Sequence, residues 1–97
     1  MANKIKIKPG QTVSLKVTPE ERELLLENLI FDDADLEPKL RIVVAGSQQI
    51  QLTLAELEDL GGCVAAAANH TKDRRVQKKL DRIGDRIKGL LGLFEEI

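Results

Sequence analysis

From Val76 onward, seven apolar residues recur in alternating steps of four and three: Val76, Leu80, Ile83, Ile87, Leu90, Phe94 and Ile97. On an α-helix that spacing places all seven on one narrow stripe, the seam geometry of a coiled coil or a helical bundle. A stripe this regular demands an apolar partner, from the same chain or from another. Three glycines, Gly84, Gly89 and Gly92, sit beside it and weaken a free-standing helix. Leu91 and Leu93 widen the apolar face near its end. A wide face bordered by small residues suits a packed helical pair better than a two-stranded zipper, with the C-terminal end as a candidate shared surface.

The helix that would pair with it lies just upstream. Thr53-Leu54-Ala55-Glu56 is a capping box, so a helix is expected to start at Leu54 and to bury Leu54, Leu57, Leu60, Val64 and Ala67 or Ala68. Gly61-Gly62-Cys63-Val64-Ala65-Ala66-Ala67-Ala68 has almost no side-chain bulk and admits another backbone at close range. Continued past Ala68, that stripe lands on Thr71 and Arg75, whereas the next apolar residues are Val76 and Leu80. The phase slips, which places a break at Asn69-His70-Thr71-Lys72 and a third helix from Asp73 to Ile97. One long bent helix is the alternative.

The N-terminal half reads differently. Lys4-Ile5-Lys6-Ile7-Lys8 alternates with a period of two, Pro9-Gly10 is a turn signal, and Val13, Leu15 and Val17 alternate again. A hairpin or two edge strands are expected over residues 4–17, with lysines discouraging pairing to other chains. Thr18-Pro19-Glu20-Glu21 combines an N-cap, a proline at the first helical position and a capping-box acid, opening a helix to about Leu29. It should bury Leu25, Leu26, Leu29 and Ile30 before Asp32-Asp33-Ala34-Asp35 ends it and Pro38 blocks a restart. Leu40 to Val44 is rich in β-branched residues and predicts a strand, turning at Gly46-Ser47 into Gln49-Ile50-Gln51-Leu52 as a second hairpin. The expected fold is therefore α+β, two β-hairpins and three helices in the order ββαββαα. It would form one domain, with residues 1–53 strand-rich around one helix and residues 54–97 a helical pair on the sheet or in a dimer.

Charge is segregated although the net is only −1. Lys4, Lys6, Lys8 and Lys16 give the first 17 residues +4; residues 18–37 carry eight acids against Arg22, a net of −7. Residues 72–97 hold eight basic and five acidic side chains, a net of +3. Such asymmetry points to electrostatic pairing within the chain or with a partner. Phe31 and Phe94 are the only aromatics, which argues against base-stacking platforms and aromatic cages. A single cysteine, Cys63, precludes an intrachain disulfide. No apolar run has the length of a membrane span or a signal-peptide core, so a cytoplasmic location is expected.

Few residues carry a chemical signature. Asp33-x-Asp35-x-Glu37 opens like a calcium loop, but Pro38 stands where glycine belongs and Val44 where the twelfth-position glutamate belongs. Cys63 and His70 lack an orienting third group, and the glycines match no phosphate-binding loop. No catalytic residue, metal or cofactor is expected. The strongest set is Arg75, Lys78, Lys79, Arg82 and Arg86, a basic ridge along the third predicted helix. It suits a protein partner, the acidic segment 20–37 or, as the second choice, phosphates; Asp73, Asp81 and Asp85 interleave and weaken the phosphate case. Ile87, Leu90, Leu91, Phe94 and Ile97 are the candidate oligomer surface.

The stretch Leu52 to Ile87, with Leu57-Glu58-Asp59-Leu60, Ala67 to Asp73 and Gln77 to Ile83, resembles a helical segment of small uncharacterised bacterial proteins that sometimes carry a plasmid ORF-3-like domain. The resemblance implies a bacterial or mobile-element context and supplies no activity or site. Gly62 and Gly84 depart from its larger residues. Together these features lead to the expectation of a non-enzymatic protein-interaction or adaptor module, homodimeric through its last helix. The alternative is a nucleic-acid-associated regulator using the basic ridge.

Overall fold

The computed structural model describes residues 4–29, 36–41, 46 and 48–97. Its described elements run β1 (Ile5–Ile7), β2 (Thr12–Val17), α1 (Pro19–Asn28), α2 (Leu36–Arg41), β3 (Gln48–Thr53), α3 (Leu54–His70), α4 (Arg74–Leu93) and β4 (Phe94–Glu96). The class is α+β, as the patterning predicts, but the described strands form two separate two-stranded ladders and α2 is an additional helix.

The predicted N-terminal hairpin does not form. A tight turn is present: the Gln11 N–H donates to the Lys8 carbonyl at 3.0 Å, with Gly10 at φ +83°. Proline followed by a positive-φ glycine is the signature of a type II turn, whose twist splays the flanking strands instead of pairing them. The two strands therefore part company. β1 pairs in parallel with β4, Ile5 opposite Phe94 and Ile7 opposite Glu96. β2 pairs antiparallel with β3, Val13 opposite Leu52 and Leu15 opposite Ile50.

That second register puts Val13, Leu15, Val17, Ile50 and Leu52 on one buried face. Because strand side chains alternate, a slip of one residue would turn the whole set to water. On the outer face Gln51 donates from Nε2 to Ser14 Oγ at 2.6 Å and accepts from Thr12 Oγ1 at 3.3 Å.

The predicted strand beginning at Leu40 is also corrected: Leu40 and Arg41 close α2. Pro38 does not block this helix, since it stands in the first turn, where the backbone N–H has no intrahelical partner to lose. Glu37 and Arg41 pair across one turn at 2.6 Å. Gly46 has φ +76°, a backbone state that favours glycine. Ile30, the Asp32–Asp35 terminator, both ends of the calcium-like loop, residues 42–44 of the predicted strand and Ser47 lie outside the described residues.

The helices start where their caps predict. Thr18 Oγ1 accepts from the Glu21 N–H at 3.1 Å and Glu21 Oε1 accepts from the Thr18 N–H at 2.9 Å. Thr53 and Glu56 repeat both bonds at the head of α3. The break after α3 is real: the Thr71 N–H closes on the Ala67 carbonyl, and Asp73 Oδ1 caps α4 by accepting from Arg75 and Val76 N–H groups. α3 and α4 run antiparallel, with Gly61 against Ile87 and Val64 against Gly84.

The third predicted helix stops earlier than its stripe implies. α4 ends at Leu93, and Phe94 to Glu96 extend along β1, with the Ile97 N–H donating to the Ile7 carbonyl at 2.9 Å. Gly89 and Gly92 weaken the last turns, while strand pairing supplies the hydrogen bonds that fraying would leave unmade.

Leu80, Ile83 and Ile87 are wholly buried on α4, facing Leu57, Leu60 and Val64 of α3 within one core cluster that also takes in the β2–β3 face, Leu25, Leu36 and Leu40. Arg22 is the charged side chain in the buried set, and no buried side-chain nitrogen or oxygen among the described residues lacks a hydrogen-bond partner.

Candidate protein-interaction surfaces

The basic ridge divides into two parts. Arg86 donates from Nη1 and Nη2 to both carboxylate oxygens of Glu21, at 2.9 and 3.0 Å, and from Nη1 to the Lys16 carbonyl at 2.9 Å. Lys79 pairs with Glu20. Both contacts clamp α4 onto the acidic start of α1. Arg82 borders a shallow cleft beside them with Glu20 and Leu24. Arg75, Lys78 and Arg82 are exposed and make no ion pair among the described residues.

Each capping-box glutamate thus has a second, distant partner. Glu56 receives Lys39 Nζ at 2.8 Å, and the same Nζ donates to the Gln51 carbonyl at 2.9 Å. This ties α2 to the β3–α3 junction. Burial pushes the Glu21 carboxyl up, but hydrogen bonds from Arg86 and from Thr18 together outweigh it and hold the group below the ordinary glutamate range. Glu56 behaves alike, burial opposing and Lys39 and Thr53 prevailing. Lys39 was legible only as one more surface lysine, since nothing local marks its partner.

The five candidate interface residues are distributed unevenly. Ile87 is wholly buried against α3 and presents no surface. Leu90, Leu91 and Phe94 are half-buried against the core, and Ile97 is 74% exposed. The pattern missed two neighbours: Ile5 is 54% exposed and Leu93 53%. Among the described residues, the three exposed large apolar side chains therefore lie on or beside the β1–β4 ladder. Their signal in the sequence was the alternation of residues 4–8, whose partner strand could not be read.

A second feature lies between the two helices of the pair. α3 and α4 leave between them an open groove of about 440 Å³, floored by Gly61, Val64, Leu80, Gly84 and Leu91. A Cβ at Gly61 would come within 3.2 Å of the Ile87 side chain, and one at Gly84 within 3.6 Å of Val64. The two glycines bring the helices together and keep the groove floor low.

Cys63 is half-buried against the core and His70 exposed in the last turn of α3, seven residues and about 10 Å along the axis apart. No group of histidine, cysteine and carboxylate side chains among the described residues is arranged to hold a metal ion, and no described helix is long and apolar enough to cross a membrane. No protein-family model, curated protein or solved structure matches this chain, so its function is read from its own residues.

Proposed function

We propose that this protein works by contact and not by chemistry, as a small interaction module that pairs with a second copy of itself through the end of α4 and the β1–β4 ladder. The observation that carries the reading is the concentration of Ile5, Leu93 and Ile97, each more than half exposed, at that one end of the fold. Apolar side chains of this size gain roughly 1.5–3 kcal/mol each when fully buried, which favours a partner over water. Leu90, Leu91 and Phe94 supply the half-buried apolar ground beside them. The charged ridge supports the same reading, because Lys79 and Arg86 are engaged with α1 and only part of the ridge remains to meet phosphates.

Light scattering across a concentration series tests the proposal. The expected result is a dimer whose mass falls to that of one chain in a Leu93→Asp, Ile97→Asp variant with unchanged circular dichroism. A chain that stays monomeric at the highest attainable concentration overturns self-association. A tagged capture from the native host, with and without nuclease, separates protein partners from nucleic acid. Capture that vanishes with nuclease, and with loss of charge at Arg75, Lys78 and Arg82, would favour the phosphate-binding alternative.

A further inference from the structure

We infer that the α3–α4 groove is a docking site for a basic amphipathic helix of another protein. The inference rests on the reading of this chain as an interaction module, and its surface borders the self-contact at Leu91.

Three features of the groove define its occupant. Along its α4 wall the part-exposed Gly84 and Leu91 stand two turns apart over the wholly buried Leu80 and Ile87. From Leu80 to Leu91 the wall rises eleven steps, about 16 Å, the length of three turns. A third helix fits such a channel by setting its own ridge of side chains between the two it meets. A strand laid there would find no free backbone partners, since both walls are helices whose N–H and C=O groups are already bonded.

The floor is set low by glycine. Gly61 and Gly84 face the groove without side chains, and Ala65 on its lip is exposed. Apolar side chains of an incoming helix therefore have depth to enter.

The rim sets the sign of the charge. Glu58, Asp81 and Asp85 border the groove against a single cation, Lys88. None of the three carboxylates makes an ion pair among the described residues. On α4, Lys79 and Arg86 are engaged with α1, whereas Asp81 and Asp85 border the groove without an ion pair among the described residues. Lysines or arginines flanking an apolar ridge complement that rim, and charge complementarity of this kind selects among partners more than it adds raw affinity.

Three labelled synthetic peptides, each about three turns long, test the site against the full chain by fluorescence anisotropy. One has leucines at steps of four and three flanked by lysines. The second has the same leucines flanked by glutamates. The third keeps the lysines and replaces leucine by serine. The lysine–leucine peptide is expected to bind at least about tenfold more tightly than either control, a difference that shrinks with added salt. Ala65→Leu, which fills the groove from an exposed helical position, should weaken binding about tenfold, as should the pair Asp81→Lys, Asp85→Lys. Should Ala65→Leu disturb folding, the charge-reversed pair at exposed positions carries the test alone. Equal binding of either control peptide, unchanged affinity in the groove variants, or no binding at all would overturn the inference. So would a change of oligomeric mass on Ala65→Leu, which would make the occupant a second copy. A monomer that binds the lysine–leucine peptide defeats self-association and keeps the groove; a dimer indifferent to the peptide does the reverse.

Discussion

Glu21 shows how much one side chain can hold. It closes the capping box of α1 and receives the Arg86 guanidinium, 65 residues away in sequence. Its carboxyl is held below the ordinary range, so the unfolded chain takes up a proton before the folded one does. The resulting stability is present above the ordinary glutamate pKa of about 4.3 and is lost as pH falls through that value toward the lower folded one. Thermal melts from neutral pH downward should show this loss, and Glu21→Gln should flatten it. Thr18→Ala removes one cap bond and is expected to cost about 1 kcal/mol. The glycines of α3 make a sharper pair. A Cβ at Gly62 meets nothing within 4 Å, so Gly62→Ala should stabilise by about 0.5–1 kcal/mol in denaturant titration. Gly61→Ala carries the same propensity gain but presses on Ile87 at 3.2 Å, so its gain should be smaller or reversed.

At the scale of elements, α4 is held by three unlike surfaces: an apolar seam on α3, a charged flank on α1 and a strand that leaves its end for β1. Leu80 is wholly buried in the seam, and Leu80→Ala should cost about 2–5 kcal/mol. The flank is uneven. Lys79 and Glu20 are largely exposed, so Lys79→Ala should change stability by less than about 0.5 kcal/mol. Arg86 grips both oxygens of a partly buried carboxylate, and Arg86→Met should cost about 1 kcal/mol or more, with a double-mutant cycle assigning the loss to Glu21. Most of what made these elements was local and legible. The two capping boxes, the period-two alternation of β2 and the phase slip at Asn69–Lys72 each name their element within a few residues. Leu40 and Arg41 are helical against their β-branched neighbourhood, because Leu36 and Leu40 anchor a short helix in the core.

At the scale of the molecule, the chain wraps so that its first strand meets its last. This brings Ile5 beside the residues that follow α4 and concentrates exposed apolar surface at one end. The dimer expected there should depend little on salt, because its contacts are apolar, whereas the helix expected in the acidic-rimmed groove should be released by salt. Sedimentation and anisotropy at two ionic strengths would separate the two surfaces in one preparation.

Helix caps, strand alternation and the apolar stripe are written in neighbouring residues, because hydrogen bonds and side-chain periodicity act over one turn or one pleat. The α+β class, the starts of three helices and the residues Leu80 and Ile83 at their core follow from them. Strand pairing does not. Whether Ile5 pairs back across its turn or with Phe94, and whether β2 finds β3, depends on which long-range closure buries the most surface at tolerable backbone geometry. Pro9-Gly10 supplied a turn of the wrong twist for a hairpin, and the ladders formed elsewhere. The same holds for the ridge on α4. Its charges are plain in the chain, but that Lys79 and Arg86 engage α1 while Asp81 and Asp85 border an open groove is decided only once the helices are laid side by side.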